Sequence, residues 1–319
     1  MTAAAVRPPS PLIEEVRDGL SRAQKELSPT LFYDRRGSEL FEEITQLPEY
    51  YLTRTERALL ATRMPPVIAR LAPRTLVELG AGSAAKTRLL LDAMRAGGEA
   101  AAYVPVDVSA EFLRESAVKL GSELPGLRVV PVVADISAGL GLPRGMPRPV
   151  LFAFLGSTIG NFEEQDAIAL LRRVRDAMCP GDHFLLGVDL QKDSRVIEAA
   201  YNDSSGVTAA FNANVLLVLN RVLGADFDVR DFFHRAWYNR EAHRIEMHLV
   251  ARRALDVHIP HIGRVPFRAG ESIRTEISCK YDRASVQRMF DDAELVLDAW
   301  IANEDPAYAL AIASRGPRR

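Results

Sequence analysis

The chain has 319 residues, of which 48% are hydrophobic and 26% are charged, and its formal net charge is -2. This composition predicts a globular protein with one large or two modest domains. The charge lacks the basic excess that favours nucleic-acid binding. No apolar run approaches the roughly 20 residues of a membrane span.

The two cysteines, Cys179 and Cys279, lie far apart. They predict neither a disulfide framework nor a zinc site. The N-terminal segment has no sustained apolar stretch of the secretory type, and residues 1–7 are expected to be disordered. We therefore expect a reduced, cytoplasmic, monomeric protein that binds no metal, nucleic acid or membrane.

After N-terminal helices within about residues 8–54, short apolar runs alternate with amphipathic segments up to residue 189. Near-continuous runs of Val, Leu, Ala and Phe between helices are typical of a parallel sheet covered on both faces. Right-handed crossovers then make the sheet doubly wound. The predicted strands are 75–79, 101–107, 127–135, 149–156 and 182–189, and the helices between them are 84–96, 109–124 and 163–178.

The pattern changes after residue 189. Residues 191–224 look largely helical, whereas 243–253 and 256–267 alternate apolar and polar residues like half-exposed antiparallel strands. A helix over 283–293 and a strand pair over 295–303 and 308–314 then complete the sheet. The sequence thus predicts an α/β core over residues 55–190 and 280–319, and a second α+β domain over 8–54 and 191–279.

The turn after the first core strand carries the clearest functional signal. Gly80 and Gly82 lie between a strand and a helix, where a missing Cβ lets a ligand approach the backbone. The glycine pattern also fits a dinucleotide-binding fingerprint and by itself leaves NAD open. Glu78 precedes it in the ELGAG run typical of S-adenosylmethionine-dependent methyltransferases, and its carboxylate suits a cationic cofactor but repels a pyrophosphate.

Two further acids end the next predicted strands. Asp107 is expected to accept hydrogen bonds from ribose hydroxyls and Asp135 from the adenine amino group, with Ile136 against the ring. Either aspartate alone fits a helix N-cap or a turn, but three acids ending consecutive strands favour S-adenosylmethionine. Lys86, in the first helical turn, is expected either to contact the methionine carboxylate or to point to solvent.

Nine segments together resemble the histidine Nα-methyltransferases of ergothioneine biosynthesis. The resemblance runs from about Leu27 to the C-terminus and implies a Rossmann-like class I methyltransferase sheet with a second, substrate-binding domain. It also implies S-adenosylmethionine-dependent trimethylation of the L-histidine α-amino group to hercynine. The segments are FYD (32–34), GSELFEEITQLPEYYLTRTE (37–56), LVELGAGSAAKTRLLLDAM (76–94), FLGSTIGNF (154–162), LLGVDLQKD (185–193), AYNDSSGVTAAFNANVL (200–216), ADFD (225–228), RIEM (244–247) and TEISCKY (275–281).

The resemblance also implies a set of histidine-binding residues. Asn161 and Tyr201 would hold the substrate carboxylate. Glu276 and Ser278, two apart on a strand, would accept from and donate to the two imidazole nitrogens. Met247 and Tyr50 supply apolar packing, and Tyr33 would assist loss of the amine proton. The implied substrate-contact residues are Tyr50, Gly156, Asn161, Tyr201, Met247, Glu276 and Ser278.

Several alternatives stay open. The tyrosines fit half-buried positions and Asn161 fits a helix N-cap. His234, His243, His248, His258 and His261 are expected to be surface strand residues rather than metal ligands. Leu52 stands where family members commonly carry proline, which would loosen a loop holding Tyr50. A different small amine as methyl acceptor, or an adenosyl-ligand-binding protein without catalysis, remains an alternative function.

Overall fold

A computed structural model describes residues 11–81, 86–97, 100–108 and 110–316, without the side chains of residues 111, 112 and 116. The α-helices are α1 (Pro11–Ser21), α2 (Arg35–Gln46), α3 (Tyr51–Leu71), α4 (Thr87–Ala96), α5 (Ala110–Glu123), α6 (Glu164–Ala177), α7 (Ser194–Tyr201), α8 (Val207–Leu223) and α9 (Arg283–Asp292). Short 3₁₀ turns cover Pro29–Phe32, Thr158–Asn161 and Val229–Asp231.

The strands follow the same chain order. They are β1 (Lys25–Glu26), β2 (Thr75–Leu79), β3 (Ala102–Asp107), β4 (Arg128–Val129), β5 (Val132–Val133), β6 (Val150–Phe154), β7 (His183–Asp189), β8 (Phe232–Asn239), β9 (Arg244–Ala251), β10 (Leu255–Ile259), β11 (Gly263–Phe267), β12 (Ser272–Cys279), β13 (Leu295–Glu304) and β14 (Ala307–Arg315).

The chain forms two compact units. The large unit contains Tyr50–Asp193, Arg240–Arg244 and Ser278–Arg319, and the small unit contains Met1–Glu49, Ser194–Asn239 and Ile245–Ile277. These bounds differ from the predicted domains at Tyr50–Arg54, which fall in the large unit because α3 begins at Tyr51 and continues as one helix. Residues 191–193, 240–244 and 278–279 also fall in the large unit.

The large unit is built on a sheet with the strand order β13-β14-β7-β6-β2-β3-β4. Strands β7, β6, β2, β3 and β4 are parallel, and the hairpin β13–β14 pairs antiparallel with β7. Every residue of β2 and β6 is buried, as expected of strands covered on both faces. This confirms the predicted α/β doubly wound sheet.

The sheet order reverses direction between β2 and β6, since the chain proceeds outward from β2 to β4 and then returns to β6 and β7 on the other side. In open α/β sheets, ligands bind at the carboxyl ends of the strands beside such a reversal. The turns that follow β2 and β6 are therefore the expected location of a ligand.

The predicted third strand, 127–135, is wrong in one respect. The structure has two two-residue strands, β4 and β5, each paired with β3. Pro131 lies between them and has no N–H to donate to a neighbouring strand, which interrupts the ladder. The predicted segment 256–267 likewise divides into the hairpin β10–β11, turning at residues 260–262.

The small unit combines helices with a sheet of the order β1-β12-β9-β8. Aromatic side chains join α2, α8 and the first 3₁₀ turn: Phe32 stacks on Phe211 with ring centroids 4.5 Å apart. Asp34 is the N-cap of helix α2, and its carboxylate accepts a hydrogen bond from the Gly37 N–H at 2.7 Å. Among the described helices of the chain, none is long and apolar enough to cross a bilayer.

Candidate active site

The turn after β2 has the backbone conformation that its glycines predict. Gly80 adopts a φ of 63°, which side chains with a Cβ rarely tolerate. The amide N–H groups of Gly80 and Ala81 both donate to the Val106 carbonyl, at 2.8 and 3.3 Å, so the turn is tied to β3. The predicted contact Gly82 lies outside the described residues.

Glu78, the acid of this turn, is 3% exposed. Its carboxylate accepts hydrogen bonds from the Thr87 hydroxyl and, at 2.7 Å, from the Tyr103 hydroxyl. Burial raises the pKa of Glu78 to about 7 against an ordinary value of 4.5. Since a nearby positive charge favours the carboxylate form, a cationic ligand at this turn would ionise Glu78.

The other two acids follow neighbouring strands. Asp107 ends β3 and pairs in register with Val133 of β5, and Asp135 follows two residues later. Asp135 is exposed and accepts from the backbone N–H and the hydroxyl of Ser137, as a turn aspartate does. Ile136 packs against the core of the large unit. Both acids thus lie at the carboxyl edge of the sheet, and the Asp135 contact with Ser137 does not by itself indicate a ligand.

Lys86 is neither in a helical turn nor directed to solvent. It is the residue before α4, and its Nζ lies 2.7 Å from Glu56 Oε2. Glu56 is fully buried, and it also accepts from the Tyr308 hydroxyl at 2.7 Å and from the Gly156 N–H at 2.8 Å. A cation held beside the β2 and β6 turns suits a ligand carboxylate.

The turn after β6 is tight. Gly156 has a φ of 78° and Ser157 a φ of 57°. A Cβ on Gly156 would stand 2.9 Å from Lys86 Nζ. The Ser157 hydroxyl accepts from the Asp189 N–H at 2.9 Å, so α3 and β7 both hold this turn. Positive φ values at a non-glycine residue are costly and are often found at functional sites.

Two further predicted residues lie close to this turn. Asn161 ends the 3₁₀ turn, and the residue at the N-cap position of α6 is Glu163, so the N-cap interpretation of Asn161 is wrong. A Cβ on the neighbouring Gly160 would lie 3.4 Å from Ser278 Oγ. The large unit therefore gathers Gly156, Asn161 and Ser278 around one loop.

Tyr50 also belongs to the large unit. It is 8% exposed and immediately precedes α3, and Leu52, at 2% exposure, is already inside the first turn of that helix. The residue at this position is therefore part of a helix rather than of a loop. Leu52 is buried in the first turn of α3, and a loosening of the Tyr50 segment by leucine stays a prediction.

The small unit holds Tyr33, Tyr201, Met247 and Glu276. Tyr33 packs edge-on against Phe41 and Phe211, with ring centroids 5.9 Å apart in each pair. Glu276 lies on β12 and is partly exposed.

A hydrogen-bonded chain joins Tyr201 to β9 and β12. The Tyr201 carbonyl lies 2.8 Å from His234 Nε2, and His234 Nδ1 lies 2.8 Å from Asn212 Nδ2. Thr275 donates its hydroxyl to Asn212 Oδ1 at 2.6 Å and also lies 3.1 Å from the Met247 carbonyl. This chain fixes Tyr201, Met247 and the residue before Glu276 relative to one another.

The prediction that all five histidines are surface strand residues holds for His258 alone, because His243 and His261 lie in exposed turns and the other two are buried to different degrees. His248 is 1% exposed and stacks on Trp237 at 3.9 Å, and His234 is partly buried in the chain above. Burial lowers the pKa of both, that of His248 to about 4. Across the described ranges, no group of three or more His, Cys, Asp or Glu side chains is arranged to hold a metal ion.

Sequence reasoning missed Glu56, Asp189 and Lys280. Asp189 is fully buried and accepts from the Tyr51 hydroxyl at 2.7 Å and from Lys192, and Lys280 Nζ lies 3.1 Å from it. Glu56 lies one helical turn after Leu52 and one before Leu60, both buried. A charge on an apolar helix face is the signal that could have identified it.

The sequence profile of a family described as histidine-specific, S-adenosylmethionine-dependent methyltransferases matches residues 12–315. The chain belongs to this family. Its members' cofactor fits the residues present: carboxylates at the ends of β2, β3 and β5 suit ammonium, hydroxyl and amino donors, and Lys86 suits a carboxylate.

Individual relatives agree with this assignment. The histidine N-alpha-methyltransferase of Mycolicibacterium smegmatis is 44% identical over 95% of both chains. Ergothioneine biosynthesis protein 1 of Neurospora crassa is 32% identical over 90% of this chain, which corresponds to 33% of that longer protein. A crystal structure of an S-adenosylmethionine-dependent methyltransferase from Clostridium acetobutylicum is 14% identical and has a TM-score of 0.52 over 88% of this chain and 99% of its own, which supports the fold alone.

Proposed function

We propose that this protein transfers three methyl groups from S-adenosylmethionine to the α-amino nitrogen of L-histidine, giving hercynine, as a step of ergothioneine biosynthesis. The observation that carries the proposal is the match of the histidine-specific family over residues 12–315. Small-molecule histidine is then its partner. The protein acts in the cytoplasm as a monomer, without a metal, a nucleic acid or a membrane.

The cofactor would be held at the turn after β2. Glu78 would face its positive charge, Lys86 its carboxylate, and Asp107 and Asp135 its hydroxyl and amino donors. When bound, S-adenosylmethionine supplies an electrophilic methyl group on a sulfonium. The remaining proposed contacts are Gly80, Gly82 and Ile136.

Histidine would be recognised at both ends. Asn161 and Tyr201 are neutral donors for its carboxylate, and Glu276 and Ser278 match the imidazole nitrogens. Leaving such buried polar groups unpaired costs about 1–3 kcal/mol each, so phenylalanine and leucine should be rejected. Tyr50, Gly156 and Met247 complete the proposed contacts.

The reacting nitrogen must be an uncharged amine. A free α-amino group has a pKa of about 8, so part of it is protonated at neutral pH. Tyr33 would assist the departure of that proton, and the main contribution of the protein would be orientation of the nitrogen. A Tyr33→Phe variant should turn over more slowly, and unchanged turnover at every methylation step would exclude this role.

The deciding experiment is mass spectrometry after incubation with S-adenosylmethionine and each amino acid in turn. Histidine should gain the mass of three methyl groups, and Glu276→Ala should lose that product and most of its histidine affinity. A gain on a different amino acid or amine would support the alternative acceptor. Binding of the cofactor without any product would indicate a protein without catalysis.

A further inference from the structure

A buried lysine, Lys280, forms a hydrogen bond with the Ser278 hydroxyl. The two residues are close neighbours at the end of β12, and Lys280 Nζ donates a hydrogen bond to Ser278 Oγ at 2.8 Å. The side chain of Lys280 is 0% exposed and Ser278 is 2% exposed. An ammonium has three donors and no acceptor, so Ser278 Oγ must accept here. Its single hydrogen therefore points away from Lys280.

The ammonium itself is anchored. Asp189, at the end of β7, places its carboxylate 3.1 Å from Lys280 Nζ and is itself fully buried. The Tyr51 hydroxyl donates to the same carboxylate at 2.7 Å, and Lys192 Nζ also donates to it. Burial lowers the pKa of Lys192 to about 8. The buried Asp189 carboxylate therefore holds the Lys280 ammonium in place, and Lys192 shares the same carboxylate.

We propose that Lys280 is a positioning residue that fixes the Ser278 hydroxyl as a hydrogen-bond donor and thereby makes the enzyme select the neutral imidazole of histidine. This inference rests on the proposed function. Glu276, two residues earlier on the same face of β12, would accept the single ring N–H. Cys279 points to the opposite face.

The physical reason is a mismatch of donors. A neutral imidazole offers one donor and one acceptor, which fits a carboxylate and a donating hydroxyl. An imidazolium offers two donors, so one N–H would need the remaining lone pair of a hydroxyl that already accepts from the Lys280 ammonium and is therefore the better donor, with the positive charge of Lys280 behind it. Charged or titratable groups around this position include Lys280, Asp189, Lys192 and Tyr51, together with Glu276 and Cys279 on β12 and Arg244, whose charge acts on Cys279.

The test compares two ligands by titration calorimetry with S-adenosylhomocysteine present, between pH 5.5 and 8. L-Histidine is compared with 1,2,4-triazolylalanine, whose ring stays neutral over this range and whose α-amino group is the same. In the unmodified enzyme, the ratio of the histidine Kd to the triazole Kd should rise about tenfold at pH 5.5, because an imidazole of pKa about 6.5 is then about one-tenth neutral.

In Lys280→Met, no ammonium polarises the Ser278 hydroxyl, which then accepts as readily as it donates, and the ratio should change by less than about threefold over the same range. Lys192→Met is the matched control, since it removes a cation from the same carboxylate but leaves the Lys280–Ser278 contact. It should keep the pH dependence of the unmodified enzyme. The double variant Lys280→Met/Ser278→Ala should bind histidine no more weakly than Ser278→Ala alone.

The outcomes separate the two proposals. Failure of the unmodified enzyme to bind histidine refutes the proposed function. Histidine binding with a pH-independent ratio, an unchanged ratio in Lys280→Met, or additive losses in the double variant overturns the role of Lys280 and leaves the function standing. If Lys280→Met does not fold, Ser278→Ala decides: its ratio should flatten, and a ratio like that of the unmodified enzyme overturns the proposal.

Discussion

Replacing Glu56 by glutamine should destabilise the large unit strongly without changing its shape. Glu56 is 0% exposed and its carboxylate binds Lys86, the Tyr308 hydroxyl and the Gly156 N–H. Glutamine keeps the volume but removes the charge, and its amide NH₂ meets a group that is itself a donor. Removing one partner of a buried ion pair costs about 3–5 kcal/mol.

The Lys86 side chain is 23% exposed, so water relieves part of its loss and the expected cost lies at the lower end, about 3 kcal/mol. For a unit of this size, that corresponds to a Tm decrease of about 6–12 °C. Urea titration followed by circular dichroism measures it, with the loss read from the midpoint at unchanged slope.

The matched control is Glu163→Gln, which removes the same charge from an ion pair with Arg244 whose glutamate is 55% exposed. Exposed pairs contribute about 0.2–1 kcal/mol, so this variant should unfold almost like the unmodified protein. If Glu56→Gln costs less than 1 kcal/mol, or no more than Glu163→Gln, the buried pair does not stabilise the unit as argued.

Three further predictions test the site. Because the pKa of Glu78 is raised to about 7, the folded protein binds its proton more tightly than the unfolded chain, and the free energy of unfolding should fall as pH rises from about 4.5 to 7. In Glu78→Gln that contribution, about 3 kcal/mol, should vanish from urea titrations, and an unchanged slope against pH would contradict it. Gly156→Ala places a Cβ against Lys86 and should weaken S-adenosylmethionine binding at least tenfold by calorimetry. Gly181→Ala, at a φ of 88° with no heavy atom within 4 Å of the new Cβ, should leave that binding unchanged. His234→Phe breaks the link between Tyr201 and Asn212 and should cost about 1–3 kcal/mol and raise the KM for histidine, whereas equal KM values would show that the link does not position Tyr201.

Local sequence patterns were sufficient to predict much of the secondary structure of the large unit. The strand at 75–79 has the predicted bounds, since five consecutive apolar-rich residues between turn signals specify a buried strand. Gly80 is required by a positive φ that few other residues tolerate. The third strand failed because a single proline outweighed the β-propensity of its valines.

The buried ion pairs of Glu56 and Lys280 could not be predicted from local sequence patterns. Glu56 lies 100 residues from Gly156 and 252 from Tyr308 along the chain, and only the folded sheet brings them within hydrogen-bond distance. Lys280 looks like a solvent-exposed strand lysine until Asp189 is found beside it. Burial of a charge depends on which partners the tertiary structure supplies, and sequence periodicity carries no information about partners so distant.

The doubly wound core, the turn with Glu78 and Gly80 and, through nine motifs, the family could all be predicted from the amino-acid sequence. These features depend on short-range periodicity, turn stereochemistry and residue identity. The tertiary structure decided which unit holds Tyr50, that Lys86 pairs with Glu56, and that Ser278 accepts from Lys280. Each of these is a contact between residues whose hydrogen-bonding groups meet only after the chain has folded, which is why they set the geometry of the candidate site.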